Sequence, residues 1–451
     1  MNNKKAFSRN TFSNLGFLFF GGIIAAVSIF TTHVILAREL TAPGYGNFMS
    51  AVALITLFSP LAVFGVPQVC LKLYGAEGEE ANRWLNVSLK LVIFTSGFIL
   101  LSLIFWAAYG PHNSDYKYIL LGLLPLVISH IFIEWVNVRF QLEGRYFALT
   151  IWQNSMHLLR FLFIFFAAIL FIRPLSMFQV LFGYFSISIL VSLAGYFFLT
   201  PMFRGEINLG IPLSSEVQEI KKDQKELFVS DIFLHSLPFG LAGLFYLIYL
   251  QSDLIFLKYL VGEKASGIYA AAFAVMIAIY FIPGVIYQKF LLPKIHGWAY
   301  HDQPKLLKVY QGGNGIMLTL GLLIFVLFFF ISPLIIPILF GNEYSETSAV
   351  LRILLFCVPI RFLATSVESP LFTKDLMKWK MGCMGIVALL NIMLNFILIP
   401  SFSYYGAAVA TLLSEFVLLS LYLCVVHKKL FGNNTWLGWT SGFNKSFWQS
   451  L

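Results

Sequence analysis

Residues 251–273 read QSDLIFLKYLVGEKASGIYAAAF, and this stretch decides the fold. An apolar run ends at Lys258, Gly262, Glu263 and Lys264 form a short loop, and Gly267 and Tyr269 open a new run of small apolar residues. The same order occurs near the start of the chain. VILAREL over 34–40 closes an apolar run, TAPGY over 41–45 turns it, and Gly46 and Phe48 open MSAVAL over 49–54. In both copies a basic residue sits two before a leucine (Arg38/Leu40, Lys258/Leu260), and a Gly-x-aromatic follows (Gly46/Phe48, Gly267/Tyr269). Two ordinary helix–loop–helix connections would account for either copy alone. Agreement in polarity order, loop length and restart reads as an internal duplication, two homologous halves of a membrane protein.

Composition sets the solvent. Of the 451 residues, 59% are hydrophobic and 11% charged, against about 25% charged in a soluble protein; mean hydropathy is +0.82. In lipid, backbone groups are satisfied only in helices or closed barrels. The apolar runs are near 20 residues long without alternating polarity, which selects helices. The expected fold is therefore all-α and polytopic. Twelve spans are read at 13–37, 45–66, 86–109, 117–138, 148–171, 176–199, 228–257, 266–287, 312–338, 347–367, 379–400 and 404–426. Pro43-Gly44, Gly110-Pro111, Arg173-Pro174, Pro201 and Pro400 punctuate the ends. Pro238 and Gly240 predict a break inside helix 7. The domains read as an N-terminal lobe over 1–222, a C-terminal lobe over 223–427 and a tail over 428–451.

Charge sets orientation. With the N-terminus in the cytoplasm, 22 of the 30 Lys and Arg fall on the cytoplasmic side, 5 on the other, and Arg160, Arg352 and Arg361 inside spans. That bias predicts both termini inside. Anionic inner-leaflet lipid accounts for the net charge of +9, so no nucleic-acid partner is implied. The loop over 201–227 divides the chain; Glu216–Leu227 reads as an interfacial helix or a solvated linker. The tail, with Trp436, Trp439, Lys445 and Trp448, suits a membrane interface, or frays. The four cysteines are scattered, without metal or disulfide spacing, and the N-terminus does not read as a cleavable signal.

An ordered set of segments resembles the polysaccharide transporter family. They are Gly46-Asn-Phe48, SDLIFL over 252–257 running into GIYAAA over 267–272, LFGNEY over 339–344, and NIMLNFILIP over 391–400 followed by YGAAVAT over 405–411. The resemblance implies membership of the multidrug/oligosaccharidyl-lipid/polysaccharide exporter superfamily. It implies a MATE-like, V-shaped pair of pseudo-symmetric six-helix lobes around a central cavity, in the bacterial inner membrane. It implies a flippase for O-antigen, capsule or exopolysaccharide units, which moves a polyprenyl-diphosphate-linked oligosaccharide from the cytoplasmic to the periplasmic leaflet by alternating access. Partners would be that substrate, membrane lipids and the polysaccharide polymerase machinery. A multidrug exporter of the same fold is the alternative. A polymerase or ligase would need a sizeable outer loop, and every outer loop is short, so an enzyme is not expected.

A flippase must shelter a diphosphate and sugars from hydrocarbon, which calls for cations and amides inside spans. Gln153, His157 and Arg160, flanked by Asn154, share one face of helix 5, with Arg160 near mid-membrane. Helix 4 carries His130, Glu134 and Asn137 on one stripe, so Glu134 either pairs with Arg160 or lines the cavity. Arg361 on helix 10 is the second expected phosphate contact; Glu368 on the same face could pair with it. Lys90 either meets the diphosphate at the inner mouth or snorkels, and Arg352 snorkels or packs. Asp231, Glu134 and Glu415 are candidates for coupling to H+ or Na+; neither a cofactor nor a metal site is expected. Asn391 and Asn395 either line the groove or join helices.

Overall fold

The computed structural model describes residues 2–170, 174–207, 209, 228–373 and 376–444, and among them there is no strand. The helices are α1 (Asn2–Glu39), α2 (Ala42–Val63), α3 (Val66–Glu77), α4 (Arg83–Tyr109), α5 (Ser114–Leu123), α6 (Pro125–Leu142), α7 (Tyr146–Leu170) and α8 (Met177–Phe203). They continue with α9 (Val229–Leu260), α10 (Glu263–Gly284), α11 (Leu292–His301), α12 (Gln303–Phe340), α13 (Thr347–Leu355), α14 (Cys357–Glu368) and α15 (Met377–Val426).

Eleven segments among the described residues are long and apolar enough to cross a membrane. One of them contains α15, whose 50 residues would run about 75 Å if straight, far beyond a hydrocarbon core of about 30 Å. Ser403, at φ 52 and ψ −136, breaks it. Gly406 folds back against the Leu398 carbonyl, where a Cβ would come within 2.2 Å. Asn391 on the first arm then donates to Ser414 on the second at 3.3 Å. Two antiparallel arms make this segment two spans, and the total is the twelve read from the apolar runs.

Several boundaries differ from expectation for local reasons. Phe64 and Gly65, at φ 44 and 74, separate α2 from α3. Pro125 opens α6 directly after α5, and α13 gives way to α14 at Phe356. The expected break in helix 7 is absent: α9 runs 32 residues with Pro238 inside it. Within a membrane such prolines are tolerated because neighbours re-satisfy freed backbone groups. The same logic explains Arg352. Pro333 lacks an N–H and cannot bond the Phe329 carbonyl four residues back. Arg352 Nε donates to that carbonyl at 3.3 Å, with its guanidinium over the Phe329 ring.

The chain forms two compact units: Met1–Thr32 with Ser50–Gln251, and His33–Met49 with Ser252–Leu451. The boundary expected at 222/223, and the stretch Glu216–Leu227, lie outside the described residues. The observed units exchange segments instead. In the first unit, the early part of α9 packs on the α2–α3 break. Phe64 and Phe233 stack at 5.2 Å, and Gly65 meets the backbone of Gly240. Its core includes Trp135, Trp152, Met156 and Val191. Gly183 and Gly195 let the rings of Phe163 and Phe132 approach α8.

In the second unit, the segment 33–49 is clasped by several contacts. Arg38 donates to the Leu339 carbonyl at 2.7 Å and to the Ile338 carbonyl, the last-turn acceptors of α12. Glu343 accepts from the Ala42 N–H at 2.9 Å, capping the start of α2. The two duplicated motifs meet here. A Cβ on Gly46 would come within 1.9 Å of the Glu263 carbonyl, and one on Gly267 within 2.0 Å of the Ala42 carbonyl. Ala42 and Glu263 each lie four residues before their glycine, so the contact is reciprocal, as a pseudo-two-fold relation requires. The tail also belongs to this unit. Trp439 and Gly442 pack their backbone onto Gly315 and Gly312 of α12, and Gln311 donates to the Asn434 carbonyl at 3.1 Å. Trp436 lies within this docked stretch, while Lys445 and Trp448 lie outside the described residues.

Candidate functional site

Each unit buries polar chemistry of its own. In the second unit the centre is Asp253, which is 2% exposed. Tyr269 Oη donates to its Oδ2 at 2.5 Å, and Thr411 Oγ1 lies 2.5 Å from the same oxygen. Asn395 Nδ2 donates to Oδ1 at 2.7 Å. Ser252 donates to Asn391 Oδ1 at 2.7 Å, and Asn395 Nδ2 lies 3.1 Å from that oxygen. The helices explain the convergence. Asn391 and Asn395 are four apart on the first arm of α15, and Thr411 and Ser414 three apart on the second. All partners of Asp253 in this cluster are uncharged, and Asn395 Oδ1 is buried without a hydrogen bond among the described residues. Asp253 is thus a buried carboxylate held by hydroxyls and an amide, a group that can take up and release a proton.

Arg361 of α14 lies in the same unit. Its Nη1 donates to Glu415 Oε1 at 3.5 Å, and its guanidinium sits 5.8 Å from the Tyr280 ring centroid. Glu415 is 1% exposed. One helical face further along, Glu368 pairs with Lys380 at 3.2 Å rather than with Arg361. α14 is thus tied to both arms of α15 by ion pairs of opposite polarity.

In the first unit, Gln153, Asn154, His157 and Arg160 are all half-buried on α7. Arg160 lies near the middle of this 25-residue helix. Its guanidinium covers the Tyr184 ring of α8 at 4.6 Å. Its Nε is buried with no hydrogen-bond partner among the described residues. The pairing of Arg160 with Glu134 does not form: neither enters an ion pair among the described residues. An arginine at mid-bilayer costs about 2.5–3.5 kcal/mol on insertion scales. Stacking on a ring recovers about 0.5–2 kcal/mol of that, which leaves the fork short of a partner.

A model of the polysaccharide biosynthesis protein family matches residues 11–296. This chain belongs to that family. A capsular polysaccharide biosynthesis protein of Staphylococcus aureus, CapF, is 22% identical over 426 residues, covering 93% of this chain and 99% of that protein. Among solved structures, the lipid II flippase MurJ in its inward closed conformation aligns with TM-score 0.67 at 14% identity, covering 91% of this chain and 87% of that one. The MATE multidrug transporter DinF-BH aligns with TM-score 0.64 at 15% identity, covering 96% of each. Family and fold together make the chain a multi-pass membrane protein with a MurJ- and MATE-like architecture.

In this member of the polysaccharide biosynthesis family, the expected site residues separate by role. Asn154 donates to the Thr150 carbonyl at 2.7 Å and packs near Gly21 of α1. Lys90 is exposed on α4. Asp231 accepts from the Phe228 N–H at 2.8 Å, a helix-start role. Asn391 and Asn395 hold buried contacts between helices. Asp253 was visible inside the helix 7 run but carries no local signal; only the fold brings Asn395, Tyr269 and Thr411 around it.

Proposed function

We propose that the chain flips a polyprenyl-diphosphate-linked oligosaccharide repeat unit from the cytoplasmic to the periplasmic leaflet by alternating access, supplying surface polysaccharide assembly. The observation that carries this reading is Arg160, a half-buried cation near mid-span whose Nε has no hydrogen-bond partner among the described residues. Arginine presents a planar fork that matches phosphate oxygens. Gln153 and His157 on the same face offer polar contacts to sugars. The family supports a substrate from polysaccharide biosynthesis. The fold, shared with a lipid II flippase, supports movement of a lipid-linked cargo.

The distribution of basic residues supports cytoplasmic termini in a bacterial inner membrane; reporter fusions after Lys380 then read cytoplasmic, and an external reading overturns that orientation. For coupling we propose Asp253 in place of Asp231, with Glu134 and Glu415 in non-coupling roles. The coupling ion is H+ or Na+, bound by the Asp253 carboxylate with Thr411 and Asn395 beside it. We also propose that polymerase machinery consumes the flipped unit.

The test in cells replaces Arg160. Arg160→Ala stops surface polysaccharide assembly at normal protein level, and lipid-linked units accumulate. A drug exporter of the same fold would instead lose dye efflux, with surface polysaccharide unchanged; that outcome overturns the flippase reading.

A further inference from the structure

An apolar cleft opens between α7 and α8 in the first unit, with a volume of about 600 Å3, within the range of about 300–1,000 Å3 typical of ligand pockets. Its α7 wall runs from Leu159 to Leu170, and Phe178, Phe182 and Ile187 line the α8 side. Eleven residues of helix rise make it about 16 Å long. Phe166, Leu170, Phe178 and Phe182 are exposed, so the cleft faces the hydrocarbon of the bilayer. Gln179, the polar residue among those lining it, is engaged at the helix start with Ser176 at 2.8 Å. One end of the cleft, at Leu159 and Ile187, adjoins the Arg160–Tyr184 stack. A cation therefore stands beside one end of a cleft whose lining is apolar apart from Gln179.

We infer that this cleft holds the isoprenoid chain of the carrier, with the diphosphate at Arg160. The inference rests on the flippase reading, and it adds a seat for the lipid half of the substrate. A headgroup drawn to mid-membrane pulls the first chain units out of their leaflet. A cleft beginning at the level of Arg160 receives them and keeps them oriented. The Phe163 ring, seated against Gly183 of α8, forms part of the wall, and the branched methyls of an isoprenoid fill gaps between such rings better than a straight chain does.

The experiment uses the full-length protein in lipid nanodiscs and two photoprobes: a polyprenyl diphosphate with a diazirine in its chain, and a dioleoyl phosphatidylglycerol with a diazirine at the same depth. The expected result is crosslinking of the polyprenyl probe to peptides containing Leu162, Phe166 and Phe182, competed by unlabelled polyprenyl diphosphate and not by phosphatidylglycerol. Ala167→Trp, which fills the cleft, lowers that capture about tenfold, the equivalent of unburying about two methylene groups. The wild-type crosslink map stands whether or not this variant folds. Equal labelling of these peptides by both probes means ordinary boundary lipid and overturns the inference. Polyprenyl labelling elsewhere, with Arg160→Ala still abolishing assembly, overturns the cleft and leaves the flippase reading intact. Absence of specific polyprenyl capture anywhere, with Arg160→Ala assembling normally, overturns both.

Discussion

At the scale of single residues, three charged groups inside helices carry different weights. Arg160 lies over a ring and enters no ion pair among the described residues, and it is the group to which the proposed function gives the anion. Arg361 has a carboxylate partner in Glu415, and this changes what its removal should do. Breaking a buried pair from one side costs about 3–5 kcal/mol because an uncompensated charge remains, whereas replacing both partners by apolar groups costs far less. Arg361→Met and Glu415→Met should therefore each lower the melting temperature in detergent, and the double variant should recover most of the loss. A double-mutant cycle measures this; additive losses would dissolve the pair. Asp253 differs again, since its partners are hydroxyls and an amide. Asp253→Asn keeps the shape and removes the ionisable group. Gradient-driven flipping in vesicles should disappear while the protein remains folded. Transport that still follows an imposed proton or sodium gradient would exclude Asp253 as the coupling group. None of these distinctions was legible in the chain alone. Arg160, Arg361 and Glu415 all read as charges inside apolar runs, and only the fold shows which of them has a partner.

At the scale of helices, the apolar runs were a sound guide to the number of spans but not to every interruption within them. Pro238 suggested a break in α9, yet the helix continues. Ser403, with positive φ, falls in the gap expected between 400 and 404, three residues after Pro400, whereas Phe64, also with positive φ, lies inside the span read over 45–66; a left-handed residue in an apolar run leaves no compositional trace. The reciprocal packing of Gly46 on Glu263 and of Gly267 on Ala42 makes a sharper claim. A methyl at either glycine would fall about 2 Å from a carbonyl oxygen, and overpacking of that kind costs about 1–3 kcal/mol. Gly46→Ala and Gly267→Ala should each reduce thermal stability, while Gly243→Ala, which meets nothing within 4 Å, should be neutral or slightly stabilising. Equal behaviour of all three in a detergent melting assay would refute the close contact.

At the scale of the molecule, two short motifs carried the expectation of duplication, because each repeats a whole helix–loop–helix order, and in the fold the two motifs pack on each other. The exchange of segments between the compact units was not readable. It depends on contacts such as Arg38 with the carbonyls of residues 338 and 339, which lie some 300 positions away in sequence. The docked tail is a similar case, since nothing in the sequence marks glycines 312 and 315 as the seat on which Trp439 and Gly442 rest. The proposed function rests on one cation near mid-span. The direct measurement places purified protein in vesicles with a polyprenyl-diphosphate oligosaccharide tagged on its sugar, and follows exposure of the tag to an impermeant quencher on the far side. Wild-type protein should expose it. Arg160→Ala should slow that exposure by about ten- to a hundredfold, the worth of a lost charge-assisted contact, and Arg160→Lys should fall between because a point charge lacks the fork. Equal rates for wild type and Arg160→Ala would contradict the account.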